Sequence, residues 1–291
     1  MPRAEVSQER KTMKLSINCR QCLEKLVHQE AEIATTDPEL RERAKEEGLS
    51  TLNKLFSYER VATDVATEIH RVLRRLTNNP DPYRQMKDKE LEMSQRLFKE
   101  VRPYYGEDFR SCVKLSALGN TIDFFKELDK VSEEMKKPME FAIDQVDEFE
   151  RRLKGAKKVL YLADNAGECF FDLPLIEKMR EGAQVIYVVK GSPVQNDITL
   201  EDLSRAGLIE EIGEVMTTGT DTVGVDFSFA SEEFKSQFEL ADLVLAKGMG
   251  HYETLSEFPT YGKIAYCFMA KCQTIADWLK VPLNSYITLL Q

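Results

Sequence analysis

A change of periodicity near Gly155 constrains this chain more than any other feature. Beyond it, short β-branched runs alternate with stretches of helical spacing: KVLYLA, FFDLPLIEKMREG, QVIYVVK, TLEDLSRAG, GEVMTTG, SEEFKSQFELA, DLVLAK, GKIAYCFMA and CQTIADWL. Strands separated by whole helices do not close as hairpins; they form crossover units whose sheet is mostly parallel and covered on both faces. The pattern predicts an α/β fold, with a Rossmann-like three-layer α/β/α domain over residues 155–291.

Before Gly155 nearly every apolar position has helical spacing, and residues 14–154 read as a helical domain packed on the sheet. Asp37 is placed to cap a helix that has Pro38 at its first position and Leu40, Ala44, Leu52 and Leu55 along one face. Val61 to Leu76 continue the spacing until prolines 80 and 82 break it. Further helices are expected over about Tyr83 to Val101, Asp108 to Leu128, and Pro138 to Leu153 with Gly155 as cap. Residues 1–13 are polar and expected to be disordered.

With 291 residues and 42% hydrophobic content the chain can bury a sizeable core. A net charge of -10 argues against nucleic acid, which is bound through clustered Lys and Arg, and favours small molecules or proteins as partners. No run reaches the roughly 20 apolar residues of a membrane span, and the first residues have no apolar signal core, so no membrane association and a cytoplasmic location are expected. Six cysteines make no disulfide framework. A homo-oligomer is compatible with the sequence.

In a parallel sheet the residues after each strand gather on one edge, where open α/β sheets bind ligands. Here those residues are DNAGE (Asp164 to Glu168), KGSPVQND (Lys190 to Asp197), TTGTDTVG, KGMGHYE (Lys247 to Glu253) and AKC, which carries Lys271. Each loop alone is explained by turns and caps. Together they set three oxygen donors, Asp164, Asn165 and Asp197, at the ends of strands that should be neighbours, the donor set of a hard divalent cation such as Mg²⁺ or Mn²⁺. Lys247 and Lys271 follow other strands and are placed to hold an anion facing it. Metal, lysines and a helix N-terminus make a phosphate site. Dinucleotide, Walker A, D-x-D-x-T and zinc-hydrolase motifs are all absent.

The segments ADNAGE, KGSPVQND, ADLVLAKGMGHYETL and AKCQTIADWLKV, preceded by SALGNTIDF and NCRQC, resemble the metal-dependent damage-control phosphatase family over about Lys14 to Ile287. The resemblance implies a helical domain on an α/β domain with the active site between them. It implies a divalent metal (Mn, Mg, Co or Ni) on Asp164, Asn165 and Asp197, and hydrolysis of phosphomonoesters such as sugar phosphates or damaged phosphometabolites. Lys247 matches a lysine expected on the phosphate, Asn120 a substrate-facing position, and Asp123 and Glu168 lie in matching motifs. One departure is His251, where the family usually has Asn. The nucleophile is either a water or Asp164 itself.

Cys19 and Cys22 have the spacing of a zinc knuckle or redox pair, but a closed zinc site needs four ligands and no second C-x-x-C exists, so a structural or incidental role is expected. Two alternatives remain open: a carboxyl methyltransferase using S-adenosylmethionine, against which the missing glycine-rich loop counts, and a non-catalytic metal or metabolite-binding module.

Overall fold

The computed structural model describes residues 15–121, 128–257 and 262–291. The expected disorder of residues 1–13 and the candidate residue Asp123 fall outside them.

The N-terminal helices are α1 (Ile17–Ala34), α2 (Pro38–Leu55) and α3 (Ala62–Thr77). Asp37 caps α2 as its side chain predicts, accepting from the Glu39 and Leu40 amides, with Pro38 in the first turn. The three helices share a core of their own around Val27, Ala31, Leu52, Val65, Ile69 and Leu73. Gly48 lets them close, because a Cβ there would lie 2.6 Å from Val27 Cγ1. Next come α4 (Arg84–Val101), α5 (Phe109–Gly119) and α6 (Leu128–Met135). Their apolar faces join the sheet: Leu97, Val101, Val113 and Leu118 share one core with Val159, Tyr161 and Phe171.

The sheet contains β1 (Phe141–Asp144), β2 (Lys158–Leu162), β3 (Gln184–Val189), β4 (Val215–Thr217), β5 (Leu243–Lys247), β6 (Ile264–Met269) and β7 (Tyr286–Leu290). Their order is β1-β7-β6-β5-β2-β3-β4, parallel at every pairing except β6 with β7. The helices between and beside them are α7 (Val146–Leu153), α8 (Cys169–Arg180), α9 (Leu200–Ala206), α10 (Ile209–Ile212), α11 (Glu232–Leu240), α12 (Gly248–Leu255) and α13 (Gln273–Leu279). Strand alternation sends Val159, Tyr161, Val185 and Tyr187 to the face covered by α4, α5, α7 and α8. Leu160, Leu162, Ile186 and Val188 face α11, α12 and α13. The result is the mixed α/β architecture with a mostly parallel sheet that the alternation predicts.

Two expected helices are corrected. Residues 138–153 are not one helix: β1 occupies the first part because β7 pairs with it in parallel, and α7 follows. Gly155 is not in the left-handed region, and Lys154 caps α7 instead. The sheet therefore begins before residue 155. The helix expected over 108–128 stops at Gly119, because Asn120 turns its amide to partners on the sheet edge.

Strand order reverses between β2 and β5: chain order runs outward through β3 and β4 on one side and through β6 on the other. The crevice at the carboxyl ends of such a pair is open to a ligand because the loops diverge there.

Candidate active site

Asp164 and Asn165 leave β2 at this switch point. The loop after β3 is pinned beside them by a bridge between Asn165 and Asp197 and by the Ile198 amide, which donates to the Asp164 carbonyl at 2.9 Å. Across the crevice, β5 delivers Lys247 and Gly248. Gly248 has φ +78°, and a Cβ on it would fall 2.1 Å from Asp164 Oδ2, so only glycine lets the start of α12 lie against this carboxylate.

Asn120 completes the floor. Its Nδ2 donates to Asp164 Oδ2 at 3.0 Å and to Glu168 Oε1 at 2.6 Å, while its Oδ1 accepts from the Met269 amide at 3.1 Å. Asn165 donates to the same two carboxylates, at 3.0 and 2.6 Å. Asn120 is thus fixed at both ends of its amide, whereas the described partners of the Asn165 side chain are the carboxylates alone.

Lys247 is employed differently from the phosphate contact expected of it. Its fully buried Nζ donates to Glu168 Oε2 at 2.8 Å, Asp172 Oδ1 at 2.8 Å and the Ser116 carbonyl at 3.1 Å. An ammonium has three donors, so all are committed inside the protein. Burial would depress its pKa, but the Asp172 and Glu168 carboxylates outweigh this and hold it above the ordinary value. Asp172 in turn accepts from Ser116 Oγ at 2.8 Å and Tyr187 Oη at 3.0 Å. Since the Ser116 proton goes to Asp172, Tyr161 is the donor in its 2.9 Å bond with Ser116.

Burial, with Glu168 and Asp197 as like charges, raises the Asp164 carboxyl well above the usual carboxylate range. Burial raises Asp197 as well, against the opposing charge of Lys190. The same burial would raise Glu168, but Lys247 prevails and holds it low. Lys190 is itself buried, 3.4 Å from Asp197 Oδ2, and donates to the Gly224 carbonyl at 2.5 Å. Burial and Lys190 push His251 down to about 3. It is therefore neutral, and because a carbonyl only accepts, its Nδ1–H donates to the Lys247 carbonyl at 2.6 Å and leaves Nε2 as an acceptor. Lys271 is exposed at the rim, and its charge lowers Asp164 and Glu168.

Asp164, Asn165, Asp197, Glu168, Asn120, Lys247 and His251 thus meet at one crevice with Lys271 at its rim. Lys190, Asp172 and Ser116 were missed. Lys190 lay in a quoted strand-end loop, and Asp172 had one signal, a carboxyl within the otherwise apolar FFDLPLI.

The fold and this crevice define an open α/β protein that works on a small ligand at its switch point. The comparisons with known proteins agree. The model of the damage-control phosphatase ARMT1-like domain matches residues 15–287. Damage-control phosphatase PH1575 of Pyrococcus horikoshii is 36% identical, with 94% of this chain and 97% of that protein covered. A damage-control phosphatase of Archaeoglobus fulgidus is 32% identical, over 91% of this chain and 94% of its own. The crystal structure of the DUF89 family protein PH1575 superposes with a TM-score of 0.87 at 35% identity, covering 95% of this chain and 99% of the other. This chain belongs to the damage-control phosphatase ARMT1-like family, and it is a phosphatase.

Proposed function

We propose that the reaction is divalent-metal-dependent hydrolysis of phosphomonoesters, sugar phosphates or damaged phosphometabolites among them. One observation carries the metal. Four buried or half-buried carboxylates, Asp164, Glu168, Asp172 and Asp197, converge on only two buried ammonium groups, Lys190 and Lys247. With all four ionised, two negative charges would be left over where water is scarce, which is why Asp164 and Asp197 hold their protons more tightly than free carboxyls, and a divalent cation would balance them. Among the described residues no three Asp, Glu, His or Cys side chains form a ligating group by themselves. The donor set is therefore mixed: Asp164 and Asp197 with the amide oxygen of Asn165, which can turn over because its bonds run only to the carboxylates the cation would neutralise. Asn120 cannot do so without losing the Met269 amide.

A cation held there supplies Lewis-acid neutralisation of the phosphoryl charge. The chain's own residues do the rest. Asn120 and Lys247 fix Asp164 and Glu168 in place. The first amides of α12, which lack acceptors within the helix, face the anion beside Asp164, and Lys271 meets it from the rim. Lys247 is then a positioning residue. The family's phosphatase activity favours this reading over the methyltransferase and binding-module alternatives. Six unpaired cysteines fit a reducing, cytoplasmic setting, and no helix among the described residues is long and apolar enough to cross a membrane.

The test is phosphate release from a panel of sugar phosphates by chelator-stripped protein, with Mg²⁺, Mn²⁺, Co²⁺ or Ni²⁺ restored singly, beside Asp164→Ala. Turnover that requires a metal and disappears in the variant is expected. Undiminished turnover after stripping would remove the metal from the mechanism.

A further inference from the structure

Arg71 and Arg74 lie one turn apart on the same side of α3 and reach from the N-terminal helices to loops of the α/β layer. Arg71 donates through Nε and Nη2 to Asp221 Oδ1 at 3.1 and 2.7 Å. Arg74 is the more deeply buried of the two, and its fork is divided: Nη2 donates to Asp221 Oδ2 and Nη1 to the Pro193 carbonyl. A single guanidinium thus joins the loop after β3 to the loop after β4, which takes two donors held in one rigid plane. Burial would raise the Asp221 carboxyl, but hydrogen bonds from Arg71 and Arg74 hold it below the usual carboxylate range, so the joint stays charged.

Both loops lead from this joint to the same side chain. Pro193 stands four residues before Asp197. In the other loop, the Val223 amide donates to Thr67 Oγ1 on α3 and the Val225 amide to Thr254 Oγ1 on α12, each at 3.0 Å. The Gly224 carbonyl between them is therefore aimed, and it accepts from Lys190 Nζ at 2.5 Å. Held by that carbonyl, the Lys190 ammonium stays 3.4 Å from Asp197 Oδ2, outside the 2.7–2.9 Å of a tight charge-assisted hydrogen bond.

Resting on the divalent-metal reading of the crevice, we infer that Arg74, with Asp221 as its partner, is a positioning residue for the metal ligand Asp197. The joint fixes the Asp197 backbone through Pro193 and holds Lys190 back through Gly224, which leaves the carboxylate free for a cation. When the joint loosens, the carbonyl retreats and Lys190 closes on Asp197 in competition with the metal. A lysine at position 74 keeps the charge but loses the fork that spans both loops.

The test is the calorimetric Kd of Mn²⁺ on chelator-stripped protein, for the parent, Arg74→Lys, Asp221→Asn and Arg75→Lys. Arg74→Lys should raise Kd about 10- to 100-fold, the usual effect of removing support from a metal ligand. The Mn²⁺ concentration for half-maximal phosphate release should rise by the same factor, with kcat at saturating Mn²⁺ retained. Asp221→Asn reaches the joint from the other loop and should act in the same direction, so two separate variants report on it. Arg75→Lys, at an exposed position on the same helix, should match the parent. Unchanged Kd in Arg74→Lys and Asp221→Asn, whatever their melting temperatures, overturns the positioning role and leaves the joint as packing alone. A parent that binds no Mn²⁺ would instead sink the metal reading itself, and this role with it.

Discussion

Lys87 and Lys247, each fully buried among the described residues, teach opposite lessons. Lys87, on α4, pairs with Asp81 at 2.8 Å and Asp202 at 2.9 Å. Asp202 also closes a capping box with Thr199 at the start of α9 and meets Arg205, so positive and negative groups match and the cluster clamps α4 to α9. Lys247 has as many carboxylate partners but stands in a cluster with more carboxylates than ammonium groups, at the edge where the strand order reverses. A buried ion pair is therefore not itself a sign of function; an unbalanced one at a switch point is.

The strongest way to break this comparison is to remove each lysine. Lys87→Met and Lys247→Met should each cost about 3–5 kcal/mol in denaturant unfolding, because each strands buried carboxylates. Only Lys247→Met should also reduce kcat in protein that remains folded at low temperature. Equal kcat losses in both would erase the distinction. Asp164→Asn sharpens it: phosphate release should fall by at least about 100-fold, yet metal-free stability should hold or rise by about 1 kcal/mol, since a like charge leaves the cluster. A clear loss of stability would show that Asp164 is already compensated.

Glu253 offers a smaller effect with a defined pH window. Burial raises its carboxyl from 4.5 to about 7, so folding favours the protonated form. That stabilisation is complete below about pH 4.5 and is lost as the pH rises through 7. Glu253→Gln should accordingly match the parent near pH 4.5 and exceed its stability by about 1–3 kcal/mol at pH 8, read by thermal melts across pH. Identical curves would place the carboxyl in water. Cys22→Ser, at an exposed position, should change stability by no more than about 0.5 kcal/mol; a drop of many degrees in Tm with loss of bound zinc would restore the zinc reading of the C-x-x-C.

Asp164, Asn165 and Asp197 were legible because each ends or follows an apolar β-branched run, and a parallel sheet sends all such ends to one edge. The employment of Lys247 was not, because charge partners from α5 and α8 are set by packing between layers that no local spacing encodes. β1 and β7 escaped for a related reason: strands of four and five residues are decided by the neighbour they pair with more than by their own propensity. The helical half misled only where its last segment crosses to the sheet.

That crossing also sets an order of assembly. β7, the last strand in the sequence, lies between β6 and β1, and β1 was made before any other strand. Residues 141–144 of β1 must wait through the synthesis of more than a hundred others before β7, their neighbour in the described sheet, exists. During translation the nascent chain therefore carries an unmatched strand edge, and the sheet cannot be sealed on that side until β7 has emerged.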